Sequence, residues 1–223
     1  MAVAAVALAS SVTYRTLAPK RSESNPPPEF VSFWREALPA GIHLGGNPDA
    51  QIKLVILSDL ECPACRSFHA TMKDVLEGHA DNVNALYVSY TLSYHRFASA
   101  AARAAECADQ IGAFQRWVDV IYAKQDSLGL KSWGSYANDA AIPDTASFVT
   151  CAMSKDNHPR LAAGQSFAQK LGSPGTPTVI LNGWRFPNTP SKEIMLLAID
   201  AVRRGEKLNK PMYAPLGPSR EAR

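Results

Sequence analysis

Apolar and polar positions change period several times along the chain. Leu54-Val55-Ile56-Leu57 is an unbroken apolar run inside Lys53 to Ser58, which suits a strand covered on both faces. From Arg66 to His79 the spacing turns helical, with Phe68, Met72, Val75 and Leu76 on one stripe. Asn84 to Leu92 is again mostly apolar and reads as a second buried strand. These three elements make a βαβ unit with a right-handed crossover. Between about Arg96 and Leu171 the period stays helical. Ala98 to Ile111 is a strong helix former, Phe114, Trp117, Val118, Ile121 and Tyr122 recur at threes and fours, and Thr145 to Met153 and Pro159 to Leu171 predict two more helices. Strand signals return at Thr178 to Leu181, and Asn182-Gly183 is a hairpin dipeptide leading into Trp184-Arg185-Phe186. Ser191 to Arg204 is a last amphipathic helix. The predicted class is α/β: β-α-β, a helical block, then β-β-α.

The ends of the chain read differently. Ala2 to Val12 is an alanine-rich apolar run, similar to a secretory signal core or a membrane anchor. It is shorter than the roughly 20 apolar residues a bilayer span needs, and its first positive charge, Arg15, lies downstream. Segment 1–19 is therefore expected to be signal-like or anchor-like, with a plain tail as the alternative. Residues 20–29 form a polar linker stiffened by Pro26-Pro27-Pro28, and a Gly-Gly-Asn-Pro turn, Gly45 to Pro48, precedes the first strand. Residues 208–223 are expected to form a loose tail. The folded chain then divides into 30–95 with 172–207, and a helical insertion over 96–171.

Composition excludes more than it assigns. Hydrophobic residues at 46% and charged residues at 19% describe an ordinary globular protein, and a scattered net charge of +3 does not suggest nucleic-acid binding. Four cysteines in 223 residues are too few for a disulfide scaffold, so cysteine reads as chemistry. Cys62-Pro63-Ala64-Cys65 stands where the first strand hands over to the helix. In a helix this spacing separates Cα atoms by roughly 5 Å, within the disulfide window. Cys62 would sit among unpaired N–H groups at the positive end of the dipole, which favours its thiolate. Pro63 is tolerated in the first turn because its missing N–H would have been unpaired, and Pro63 and Ala64 together tune the local geometry. The expected roles are Cys62 as exposed nucleophile and Cys65 as buried resolving thiol. A static disulfide is one alternative. Zinc held by Cys62, Cys65 and His69 is another, weakened by the lack of a second CxxC and the scatter of His43, His79, His95 and His158. No metal, nucleotide or flavin site is expected; the only cofactor is the redox-active disulfide itself.

Three stretches carry a family resemblance: Ser58 to Cys65, Ala104-Ala105-Glu106-Cys107-Ala108, and Gly172-Ser173-Pro174-Gly175-Thr176-Pro177-Thr178. Over about Lys53 to Arg204 the chain resembles the DsbA-like branch of the thioredoxin superfamily. The resemblance implies a thioredoxin fold with an all-helical insertion between the βαβ and ββα halves. It implies that Pro177 is cis and that Thr176 contacts substrate. It implies a thiol:disulfide oxidoreductase donating the Cys62–Cys65 disulfide to unfolded or cysteine-containing exported proteins, reset by a membrane or soluble redox partner. An extracytoplasmic, periplasmic setting follows, with the N-terminal segment as a candidate anchor. A reductase or isomerase on the same fold, and a non-catalytic peptide-binding domain, stay open as alternatives.

Two expectations concern the remaining chemistry. Cys107 and Cys151 share the insertion, and in an oxidising compartment they are expected to form a structural disulfide rather than remain buried thiols. Many thioredoxin-fold enzymes place a buried acid six residues before the first cysteine; here that position is Ile56. Asp59 and Glu61 lie nearer and are expected to be solvated loop residues. Trp117 and Phe114 are expected in the core, and Trp133 and Trp184 near turns.

Overall fold

The computed structural model describes residues 26–156 and 158–210. Segment 1–19, residues 20–25 of the linker and most of the tail lie outside the described residues.

The elements run in chain order as β1 (Glu29–Phe30), a 3-10 segment (Trp34–Ala40), β2 (Gly41–Gly46), β3 (Ile52–Ser58), α1 (Pro63–His79) and β4 (Val83–Ser89). Then come α2 (Ala98–Gln110), α3 (Phe114–Ala123), α4 (Trp133–Asp139), α5 (Thr145–Met153) and α6 (Pro159–Leu171), before β5 (Thr178–Leu181), β6 (Trp184–Arg185) and α7 (Lys192–Arg203). The strands form one sheet in the order β1-β6-β5-β3-β4-β2. β3 and β4 are parallel, and the other neighbours are antiparallel. This is a thioredoxin fold with an all-helical insertion between β4 and β5.

The apolar run in β3 divides by alternation. Leu54 and Ile56 face α1 and α7, packing with Phe68, Met72, Val75, Met195 and Ile199. Val55 and Leu57 face the 3-10 segment and α6, packing with Trp34, Ala37, Phe167 and Leu171. α6 lies so close to β4 that a Cβ on Gly164 would stand 2.4 Å from the Ser89 carbonyl oxygen. Asp144 and Ser191 cap α5 and α7 by accepting from Ser147 and Ile194 backbone N–H groups. Asn182 and Gly183 both take positive φ, 45° and 93°, which closes the β5–β6 hairpin.

The third core joins the insertion to the thiol loop. Leu60, Cys62 and Cys65 pack in one cluster with Ala104, Phe114, Trp117, Val118, Tyr136 and Phe148. The insertion is thus the wall against which the CPAC motif is built.

The structure differs from the sequence expectation at several places. β2 was not expected; its Gly41, Gly45 and Gly46 carry little strand signal, and pairing with β4 imposes the extended form. Glu29, assigned to the linker, pairs in the sheet, helped by its 2.7 Å ion pair to Arg185 and the Phe30–Trp184 ring contact. Leu208, assigned to the tail, is buried with α7 in the core. Trp133 opens α4 and packs on Trp117 and Tyr136. The second strand ends at Ser89 rather than Leu92.

Candidate active site

β3 ends at Ser58, and the loop Asp59 to Glu61 turns the chain into α1. Cys62 is the N-cap residue, with extended backbone (φ −77°, ψ 120°), and Pro63 occupies the first turn. The Cys62 carbonyl oxygen already accepts from Arg66 N–H at 3.2 Å. Gln125, buried in the 3-10 turn Gln125–Ser127 that follows α3, holds the loop from the insertion side. Its Nε2 donates to the carbonyl oxygens of Leu60 and Cys62 at 2.8 and 3.0 Å.

Cys62 and Cys65 are free thiols. Cys65 is buried as expected. Cys62 is also buried, at 6% exposure, and this corrects the expectation of an exposed nucleophile. The loop before β5 lies against it: the Thr176–Pro177 peptide is cis, and the Thr176 carbonyl oxygen accepts from Cys62 Sγ at 3.3 Å when that thiol is protonated. Thr176 therefore lies directly against the sulfur. Beside it, Gly172, Pro174, Gly175, Arg185 and Phe186 line a cavity of about 390 Å³.

The two sulfurs are driven apart electrostatically. Hydrogen bonding from the Cys65 thiol, opposed by burial and aided by Thr176 and the backbone of Ala64 and Cys65, lowers the Cys62 pKa to about 5. Burial raises the Cys65 pKa, as does its bond to Cys62, against donation from the Asp59 N–H at 3.5 Å and from Ser58. At neutral pH Cys62 is a thiolate and Cys65 a thiol. One sulfur can attack while the other waits protonated.

The Cys62 thiolate is present above pH 5 and lost below it. At pH 6 a thiol of pKa about 5 carries roughly 300 times the thiolate of an ordinary cysteine at 8.5. Its lower basicity costs about 25–60-fold in nucleophilicity, so disulfide exchange at Cys62 is expected to run about tenfold faster than at a model thiol. Thiolate absorbance and exchange rate titrated from pH 4 to 8 check this; a midpoint near 8 would contradict it.

Asp59 and Glu61 are not solvated loop residues. The Asp59 side chain is wholly buried: Oδ1 accepts from Glu61 N at 2.8 Å, and Oδ2 accepts from Leu92 N at 2.8 Å and His95 Nδ1 at 2.9 Å. Glu61 Oε2 accepts from Phe97 N. Both carboxylates stitch the thiol loop to the segment entering α2, a task that spacing alone does not announce. His69 lies on α1 and meets Asp119 on α3 at 2.7 Å.

Cys107 on α2 and Cys151 on α5 are bonded to each other, with Cα atoms 6.0 Å apart. Gln125, Tyr122 and Ser58 were not singled out from the sequence. The available signal was the apolar spacing of α3, which includes Tyr122 and whose next position, past the helix end, is the polar Gln125.

Fold and site together place a free Cys-Pro-Ala-Cys dithiol at a helix start of a thioredoxin fold with a helical insertion. A thioredoxin family model matches residues 39–201, and the chain belongs to that family. Among solved structures it is similar to a thioredoxin-like oxidoreductase from Silicibacter pomeroyi, with TM-score 0.65 and 22% identity over 78% of this chain and 99% of that one. It is also similar to BdbD from Bacillus subtilis, with TM-score 0.65 and 17% identity over 81% and 98% of the two chains. These likenesses concern the fold. Among curated proteins it is 28% identical over 165 residues to the Na(+)/H(+) antiporter NhaA of Herminiimonas arsenicoxydans, which is 74% of this chain and 26% of that protein. With NhaA 1 of Mycolicibacterium gilvum the identity is 29%, over 81% of this chain and 30% of the antiporter. The chain thus spans about a quarter to a third of these relatives. Among the described residues no helix is long and apolar enough to cross a membrane.

Proposed function

We propose that Cys62 and Cys65 are the redox centre of a protein thiol:disulfide oxidoreductase, and that the enzyme donates their disulfide to cysteine-containing protein substrates. The opposed ionisation of the two thiols carries this reading. A substrate thiolate attacks Cys62 Sγ of the oxidised pair, Cys65 leaves and is protonated, and a second substrate thiolate then displaces Cys62 as its stable thiolate. The low pKa favours donation, because stabilising the reduced form makes the disulfide a stronger oxidant. Thr176 and Pro177, with the adjoining cavity, form the surface on which an extended peptide would lie. A membrane or soluble partner resets the disulfide. An extracytoplasmic setting suits the Cys107–Cys151 bond.

The reduction potential tests the direction. Equilibration with glutathione should place the Cys62–Cys65 couple nearer about −120 mV than −270 mV. A value near the lower figure would overturn donation in favour of a reductase.

A further inference from the structure

We propose that the seam between α2 and α6 binds a small molecule bearing an oxyanion, a carboxylate or a phosphate group, received by Arg103 together with Lys155 and His158. The site lies apart from the dithiol and does not depend on the redox reading.

The two helices meet through matching stripes. Ser99, Ala102, Arg103 and Glu106 recur at i, i+3, i+4 and i+7 on α2, and His158, Leu161, Ala162 and Gln165 do the same from the N-cap of α6. One end of this seam is closed by charge. Arg160 of α6 donates through Nη2 to Glu106 at 2.7 Å and to Asp109 at 2.6 Å, so one cation meets two carboxylates of α2. One turn toward the N-terminus of α2 the seam widens into a cavity of about 500 Å³, which reaches Ser89 and Thr91 at the end of β4. The small side chains of Ala102 and Ala162 leave that room, and the close approach of Gly164 to Ser89 fixes the α6 wall.

In this wider part the charges do not balance. Arg103 and Lys155 line it against a single carboxylate, Asp156. Neither cationic group forms an ion pair or hydrogen bond with a described residue, Asp156 included. Every other described arginine meets a carboxylate, a carbonyl oxygen or an aromatic ring. Arg103 is nevertheless partly buried. Its Nε and the Nε2 of His158 are enclosed in the cavity wall, and neither has a hydrogen-bond partner among the described residues. Buried polar atoms are ordinarily paired, and a cation withdrawn from water ordinarily has a counter-charge. Both deficits fall at one place, and an anion carrying acceptor oxygens remedies both.

The donor set narrows the ligand. A guanidinium fork matches the paired oxygens of a carboxylate or phosphate, and Lys155 adds a point charge. The hydroxyls of Ser99 and Thr91 and the amide of Gln165 line the same cavity and can donate to further oxygens. The volume lies within the range that small ligands occupy.

The test is titration of the full chain at pH 7 with sodium phosphate and, separately, sodium acetate, each against sodium chloride at equal ionic strength. The Arg103 Nε–H resonance, the backbone amides of Ser99 and Gln165, and the thermal midpoint are followed. At least one of the two oxyanions should move these resonances saturably and raise the midpoint beyond the chloride control. A response to phosphate alone, to acetate alone or to both then tells which oxyanion the site takes. In Arg103→Gln the half-saturation concentration read from the amides should rise at least about tenfold, the scale of losing a charge-assisted hydrogen bond. In chloride, Arg103→Gln should unfold at the parent's midpoint or above it, whereas an arginine with a merely structural role would lower it. Arg103→Lys keeps the charge without the fork and should also bind more weakly than the parent. No saturable response to either oxyanion in the parent, or an undiminished one in both variants, overturns the site.

Discussion

Cys62→Ser is expected to lower thiol-disulfide turnover at least about 10³-fold while leaving the fold unchanged. Serine is isosteric enough to keep the N-cap position, and its hydroxyl can still donate to the Thr176 carbonyl oxygen. It cannot ionise near neutral pH or form a disulfide, so the covalent step disappears. Cys65 cannot take over. It is 2% exposed, one turn inside α1, and its pKa is raised by burial. The matching Cys65→Ser variant should still attack substrate but stall as a mixed disulfide, because the resolving sulfur is missing. Oxidative refolding of a reduced protein substrate, with electrophoresis for trapped complexes, reads both. Retained turnover in Cys62→Ser would move the redox centre to Cys107–Cys151. Retained partner binding with no turnover in the unmutated protein would favour a binding groove. Neither outcome is expected of a pair in which one sulfur is held as thiolate and the other as thiol.

The parts of this site legible from sequence were those with local signatures. CPAC needs only its own spacing and a strand before it, whereas the cis Thr176–Pro177 bond was legible through the family resemblance. The helical insertion was legible because long amphipathic periods survive without tertiary help. What was hidden depends on contacts across the chain. Gln125 is 63 positions from the Cys62 carbonyl oxygen it holds, and Tyr122 is 64 from Ser58. Both sit on a stripe whose periodicity reads only as core. Asp59 looked like a loop acid because Leu92 N–H and His95, 33 and 36 residues on, supply the donors that make its burial tolerable. β2 was hidden for the opposite reason. Its glycines carry no propensity, and only the edge of β4 makes it a strand.

Removing the second sulfur pair is expected to have the largest effect on stability. Cys107→Ala with Cys151→Ala opens a loop closed over 44 positions. The chain-entropy relation then gives a loss of about 4 kcal/mol, which is a large part of the 5–15 kcal/mol typical of a folded domain. Alanine at position 107 leaves a small apolar group in a cluster already rich in alanine, so cavity formation adds little there. Urea unfolding of the oxidised double variant against the parent measures it, and a loss under about 1 kcal/mol would show that packing alone holds α2 to α5. The consequence reaches the site, because Gln125 clamps the thiol loop from this same insertion. Loosening the insertion should therefore weaken the held geometry of Cys62 before it unfolds the sheet, and turnover should fall at lower urea than the loss of helix signal. The two disulfides also divide by redox poise. Structural bonds have potentials below about −300 mV, whereas a donating Cys62–Cys65 couple is reduced far above that. A mild reductant should then convert the active pair to thiols and leave Cys107–Cys151 closed, which keeps the clamp in place through every turnover.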